Sequence, residues 1–239
     1  MKIKLDLHIH SAASYDGRMS LDEIVRTAKA RGLNGVAVTD HDVTLTDAPV
    51  FDDFLIIPGC EFSTEFGHLL GLFLREPIGN MSFVRTVNAI HAQGGLAVIA
   101  HPFEHTRDGS RIMPFAQLLD GAEVWNGRAE RKIRDANAMA LAFAEEQGLR
   151  HFAGSDAHVP EEIGNGVVEL DVQALTLSAV KTALLNAGVT VSGKRGASLC
   201  VARSQYTKLQ KRNARPVAYA KWLLFAGKCV YEDTFRKGK

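Results

Sequence analysis

The chain has 239 residues, 46% of them apolar and 23% charged, which suits a globular protein with one large domain or a domain and a short appendage. No apolar run reaches the roughly 20 residues of a membrane helix, and Met1 leads directly into an alternating pattern without a signal-peptide core, so the expected compartment is the cytoplasm. Cys60, Cys200 and Cys229 are odd in number and far apart, which argues against a disulfide framework or a thiolate zinc site, while the net charge of +1 conceals an acidic body, about −9 up to Gly193, and a basic tail, about +10 from Lys194.

From Lys2 to His10 the residues alternate: Ile3, Leu5, Leu7 and Ile9 share one face, and Lys4, Asp6, His8 and His10 share the other, so a strand carries both histidines on one side. Ser20 with Glu23 reads as a capping box, opening a helix whose stripe is Leu21, Ile24, Val25 and Ala28 and which Gly32 stops. Gly35 to His41 follows as a short apolar strand, giving a strand–helix–strand unit of the parallel crossover type. Further strands are expected at 55–61, 68–74, 96–101, 122–125, 151–155, 167–170 and 189–192. Helices are expected at 82–93, 129–147 and 178–186, and this alternation predicts a parallel α/β fold closed into a barrel. In the tail, 214–227 predicts a helix after a Pro start, with Val217, Ala220 and Leu224 in an apolar stripe that docks on the barrel.

Polar residues gather where these strands end: His8 and His10, Asp40 and His41, Glu61, His68, His101, and Asp156 with His158. Six of the nine histidines occupy such positions, and strand ends of a parallel α/β fold open onto one face. Neutral imidazoles and carboxylates are good ligands for manganese, iron(II) and zinc, and a carboxylate can bridge two ions. Each pair alone has an ordinary reading, because Asp near a strand end commonly caps a turn; their succession at strand end after strand end points to a metal cluster. Asp40 is expected either to orient an imidazole or to cap the following turn. Arg128, in Trp125-Asn-Gly-Arg, is a candidate clamp for a substrate phosphate, since a guanidinium matches phosphate geometry.

The run Asp6-Leu-His-Ile-His-Ser-Ala-Ala-Ser-Tyr-Asp-Gly17, with Thr39-Asp-His41, Gly59-Cys-Glu61, Gly67-His68, Ala100-His-Pro102 and Gly154-Ser-Asp-Ala-His158, resembles the polymerase and histidinol phosphatase (PHP) family, with the motifs in family order over residues 1–193. The resemblance implies a distorted (β/α)7 TIM-like barrel that hydrolyses phosphoesters with two or three divalent metal ions, Mn, Fe or Zn, and the residues beyond 193 then form a basic helical C-terminal extension. It also implies a ligand set. His8, His10, Glu61 and Asp156 stand for a first ion, Glu61 with His68 and His101 for a second, and Asp16, His41 and His158 for a third. Asp16 stands where several relatives carry histidine, as in the branch acting on nucleotide phosphates and short oligonucleotides.

The expected activity is attack on phosphorus by a metal-activated hydroxide, with Asp156, His158 and Arg128 as the candidate catalytic residues. The expected substrate is a phosphorylated small molecule or a nucleotide or oligonucleotide phosphate, and the basic tail can attract a polyanion. Two other readings share these residues: an amide-bond hydrolase on the same metal site, and a nucleic-acid-binding module without turnover.

Overall fold

The computed structural model describes residues 1–186 and 188–235, so Arg236, Lys237 and Lys239 of the expected basic tail lie outside the described residues. Nine strands form one sheet: β1 (Lys2–Ile9), β2 (Gly35–Val38), β3 (Leu55–Thr64), β4 (Gly67–Leu72), β5 (Leu96–Ile99), β6 (Gly121–Asn126), β7 (Arg150–Gly154), β8 (Gly166–Asp171) and β9 (Thr190–Gly193). Their order is β7-β6-β5-β4-β3-β2-β1-β8-β9. The sheet curls until the chain leaving β7 meets β1, where the Asp156 N–H donates to the His8 carbonyl and the His10 N–H to the Ala157 carbonyl, both at 2.8 Å. Seven strands thus enclose a nearly closed, distorted barrel, and β8 and β9 continue the sheet beyond β1.

The closure depends on Gly154. A Cβ there would lie 2.2 Å from His8 Cβ, so only glycine lets β7 approach β1 at that histidine.

The wall is not all-parallel, as the alternation predicted. β1 pairs in parallel with β2, and β2 with β3, but β4 runs antiparallel to both β3 and β5. The reason is local: only Glu65 and Phe66 separate β3 from β4, a link that makes a hairpin, whereas a parallel crossover needs a dozen residues or more.

The helices cover the sheet. α1 (Leu21–Ala30) begins as the capping residues require, with the Glu23 N–H donating to Ser20 Oγ at 3.1 Å, and buries Ile24, Val25 and Ala28 against Val36, Val38 and Ile56. α2 (Phe83–Ala92) and α3 (Ala136–Gln147) pack on strands β3 to β6, and α4 (Leu177–Asn186) lies near β8. α3 is shorter than the expected 129–147. Residues Ala129–Arg131 form a separate 3-10 turn, and Asn137 in the first helical turn accepts the Asn126 N–H through its side chain.

The tail holds two helices where one was expected, α5 (Ser198–Lys211) and α6 (Pro216–Phe235). Asp233 of α6 caps α5, accepting the N–H groups of Ser198 and Leu199 at 2.8 and 2.9 Å, and Trp222 Nε1 donates to the Ala202 carbonyl at 2.7 Å. The expected stripe is on the wrong face: Val217 and Leu224 are 61% and 79% exposed, while Cys229 is buried. α6 is apolar almost all round, so periodicity does not single out a face, and Trp222, Phe225 and Cys229 decide it by what they touch. Among the described residues no helix is long and apolar enough to cross a membrane.

Burial of β1 departs from simple alternation in a way that positions the site. Lys2 and Lys4 are exposed, but Asp6, His8 and His10 on the same face are fully buried. Asp6 is an anchor: its Oδ1 accepts the N–H groups of Ser155 (2.8 Å) and His8 (3.3 Å), and its Oδ2 accepts that of Gly164 (2.7 Å). Burial pushes its carboxyl up to about 6 against the pull of those donors, which leaves it ionised at neutral pH. Asp6→Asn sets an amide NH2 against one of these donors. It is expected to cost about 1–3 kcal/mol, read as a melting temperature lowered by roughly 2–10 °C.

Candidate metal centre

The residues expected to bind metal come together at one mouth of the barrel. His8 and His10 leave β1, Glu61 lies on β3, His68 on β4, and Asp16, His41, His101, Asp156 and His158 sit in the loops that follow strands. Asp156 and His101 have φ of 55° and 24°, in the left-handed region that L residues avoid, a strain that collects at functional sites. Each is pinned there by its own backbone N–H, Asp156 to the His8 carbonyl at 2.8 Å and His101 to Glu123 Oε2 at 2.9 Å.

Glu61 is the hub. Its Oε1 lies 2.8 Å from His68 Nδ1 and 3.0 Å from His101 Nε2, and its Oε2 lies 3.0 Å from His41 Nδ1, 3.3 Å from His10 Nε2 and 3.4 Å from His8 Nε2. Asp156 Oδ1 is 3.2 Å from His10 Nε2 and 3.7 Å from His8 Nε2. Asp16 reaches His158 Nε2 at 3.3 Å through Oδ1 and His41 Nε2 at 3.6 Å through Oδ2.

These contacts are close without being hydrogen bonds in several cases. His41 Nδ1, His68 Nδ1 and Glu61 Oε2 are buried and lack an aligned partner, although each lies within 3.0 Å of another member of the cluster. His8 Nε2 and His10 Nε2 point at one another across 3.1 Å. Lone pairs aimed at a common point instead of at donors are what cation ligands require, and the donor set of imidazole and carboxylate suits a divalent first-row metal. Four overlapping groups have ligand atoms within 4.8 Å of one another: His10, Asp16, His41 and His158; His8, His10 and Asp156; His8, Glu61 and His101; and His41, Glu61 and His68. The grouping differs from the one implied by the resemblance in that His8, His10 and His41 each take part in two groups.

Electrostatics agree with a cation site. Burial alone would raise the Glu61 carboxyl, but His68, His41 and His8 hold it well below the usual range. Burial opposes charge on His41 and His101, yet Glu61 and its neighbours push them up to about 10 and about 9, so protons and a divalent ion compete for these nitrogens. His158 goes the other way: burial, Arg128 and His10 bring it down to about 3, so it stays neutral.

A layer of residues behind the cluster was not visible in the sequence. Glu123 Oε1 lies 3.0 Å from His8 Nδ1, and its Oε2 accepts from Asn126 Nδ2 at 2.9 Å, so Glu123 fixes the His8 ring with Nε2 toward the cluster. The one signal was a lone acid in the apolar run Gly121-Ala-Glu-Val-Trp125, and it is 1% exposed. Asp40, expected to orient an imidazole or cap a turn, accepts the N–H and hydroxyl of Ser11, both at 2.6 Å, and so fixes the loop after β1. Glu123→Gln is expected to lower metal affinity about 10–100-fold, measured by metal titration, because its carboxylate orients a ligand.

Arg128 lies at the cavity, but its fork is engaged. Nε and Nη2 donate to the two oxygens of Glu162 at 2.7 and 2.5 Å, Nη1 donates to Ser204 Oγ at 3.2 Å, and Glu162 Oε2 also accepts the His158 N–H at 3.0 Å. Two cavities meet over the cluster. One of about 200 Å³ is lined by the metal-type ligands other than His8 and His10, which lie fully buried, and by Arg128 and α5 residues, and the other, about 350 Å³, is lined by Phe66, Pro102 and Ile112 and shares His68 and His101 with the first. Of the histidines given no metal role, His105 lines both, and His91 pairs with Asp120 at 2.8 Å on the surface.

Known proteins share this sequence and architecture. Residues 134–187 match a family described as PHP-associated. An uncharacterised protein of Methanocaldococcus jannaschii is 32% identical over 177 residues, covering 70% of each chain. The chain belongs to the PHP family. A probable phosphatase of Shewanella sediminis is 28% identical to this PHP chain over 202 residues, covering 69% of it and 82% of the relative. Among solved structures, a two-domain protein of Bacteroides vulgatus, described as containing a predicted PHP-like metal-dependent phosphoesterase, superposes with a TM-score of 0.62 at 19% identity, over 87% of this chain and 70% of the other. The imidazole and carboxylate cluster of this chain fits divalent ions.

Proposed function

We propose that this PHP chain hydrolyses a phosphomonoester, or a nucleotide or oligonucleotide phosphate, at the cluster around Glu61. The observation that carries the reading is the convergence of six imidazoles and three carboxylates in one cluster, in which His41 Nδ1, His68 Nδ1 and Glu61 Oε2 are buried without an aligned hydrogen-bond partner among the described residues. His8, His10, Asp16, His41, Glu61, His68, His101, Asp156 and His158 are the proposed ligands. Divalent ions held there supply a water that ionises near neutral pH and offset charge that builds on phosphoryl oxygens.

The rest of the chemistry falls to the protein. Glu61 presents one oxygen to His68 and His101 and the other to His8, His10 and His41, so a single carboxylate joins neighbouring ligand groups. Glu123 holds Nδ1 of His8, and Asn126 Nδ2 reaches Asp156 Oδ2 at 3.5 Å, so both ligands keep their orientation. His158, neutral and with Nδ1 held 2.9 Å from the Asp156 carbonyl, turns Nε2 toward Asp16 and the cluster. Arg128, paired with Glu162, contributes fixed positive charge beside Asp156. The more apolar cavity beside His68 and His101 is the place for the organic part of the substrate.

The test is hydrolysis of phosphate monoesters, diesters and nucleotides by the full chain with Mn, Fe(II) or Zn supplied, alongside amide substrates. Phosphate release that disappears with chelator and in His10→Ala is the expected result. Ammonia release without phosphate release would replace this reading with amide hydrolysis.

A further inference from the structure

The smaller cavity, which Glu104 also lines, carries three cations that form no ion pair with a carboxylate among the described residues. Arg131, Lys132 and Lys208 line it together with Asp16, His41 and Asp156, and among the described residues none of the three has a carboxylate within 4.0 Å. Each is held by something other than an anion. The Arg131 guanidinium lies 5.3 Å from the Phe225 ring centre, Lys208 Nζ lies 4.6 Å from that of Tyr15, and Lys132 Nζ lies 3.2 Å from His105 Nδ1. Burial and the neighbouring Arg212 pull the Lys208 ammonium below the usual lysine range, against a smaller opposing pull from Asp16.

Their placement is built into the fold. Lys208 is brought over the cavity by α5, which is fastened at both ends: Asp233 caps its start, and near its end Lys211 Nζ donates to the carbonyls of Ala12 at 2.6 Å and Ser14 at 2.7 Å. Midway, Ser204 accepts from Arg128. Arg131 is oriented by Phe225 of α6. The carboxylates of the metal cluster lie at the floor and these three cations at the rim, so one anionic group of a ligand fits at the floor through bound metal and another fits at the rim.

We propose that Arg131, Lys132 and Lys208 form a second anion site, which takes a phosphate or phosphodiester group of the substrate next to the group being hydrolysed. The site rests on the phosphoesterase reading above for its orientation, and the C-terminal helices thereby select substrates with more than one phosphate. Tyr15, whose ring faces the Lys208 and Arg212 side chains and stacks on His41 at 4.6 Å, ties the rim to the cluster.

The experiment uses the full manganese-loaded chain and three ligands as slowly hydrolysed thiophosphate analogues: adenosine 5′-monophosphate, adenosine 3′,5′-bisphosphate and a 5′-phosphorylated dinucleotide. Calorimetry gives the dissociation constants and phosphate release gives kcat/KM for the parent compounds. The wild type is expected to bind at least one of the two polyanionic ligands about tenfold or more tightly than the monophosphate. The bisphosphate and dinucleotide arms show whether the second group is a monoester or a diester. In Arg131→Gln/Lys208→Gln this preference is expected to fall to within about twofold of unity, while Lys221→Gln/Lys228→Gln, an equal loss of two charges at exposed positions of α6, keeps it. Lys208→Gln alone, checked for an unchanged melting temperature, serves if the double variant does not fold. No preference in the wild type, or a preference that survives both rim variants, overturns the proposal. Absence of turnover with a preference that collapses in the rim variants would instead remove the phosphoesterase reading and leave the anion site standing.

Discussion

Glu61→Gln is expected to lower kcat/KM by about 1,000-fold or more and to remove at least one divalent ion per chain as counted by elemental analysis. The size follows from position. The carboxylate is 1% exposed, and five imidazoles approach its two oxygens within 3.4 Å, more than approach either other carboxylate of the cluster. Glutamine keeps the shape but offers one neutral acceptor, and its NH2 meets imidazole nitrogens that should point lone pairs at a cation. A loss on the order of 4 kcal/mol of charge stabilisation accounts for three powers of ten in rate. Retained ion content with activity within tenfold of wild type would show that Glu61 is not the hub of the centre.

A second large effect lies outside the ligands. Arg128→Ala is expected to destabilise the fold by about 3–5 kcal/mol and to lower the melting temperature on the order of 10 °C, because Glu162, fully buried, is left without its guanidinium. The damage should reach the centre, since Glu162 also accepts the His158 N–H. The paired replacement Arg128→Leu/Glu162→Leu separates the two causes. Removing both charges should recover most of the stability, because an apolar pair of similar volume does not carry the cost of a lone buried carboxylate, whereas the activity lost with the charge near Asp156 should stay lost. If Arg128→Ala melts within 2 °C of wild type, the pair is not holding α5 and the His158 loop to the barrel.

The fold explains why these changes reach so far. Ser204 of α5, Arg128 after β6, Glu162 and His158 after β7 form one connected set of hydrogen bonds, so the C-terminal helices and the metal centre share a common support. Lys211 adds another tie, to the Ala12 and Ser14 carbonyls of the loop that carries Asp16.

Much of this was legible in the chain itself. A period of two places His8 and His10 on one face of β1 whatever surrounds them, and the capping residue Ser20 starts α1 through contacts three residues away. Short apolar runs bounded by turns located the nine strands of the described residues, and the polar residues at their ends include every member of the cluster except Asp16, which came from the family resemblance. These are local rules, in which a residue answers to neighbours a few positions off.

Tertiary structure alone settled matters that depend on residues far apart in sequence. Glu123 meets His8 across 115 positions, and a lone acid in a strand carries no sign of that distant imidazole. Arg128 sat in the right place for a phosphate clamp, but only the fold shows that Glu162 and Ser204 already fill its fork. The antiparallel turn at β4 came from a two-residue link, and the buried face of α6 came from its docking, because a helix apolar on every side has no periodicity to read. Sequence patterns thus determined which groups could do chemistry. Packing over long separations decided how those groups face one another, since orientation in a buried site is set by whichever remote atoms complete its hydrogen bonds and charges.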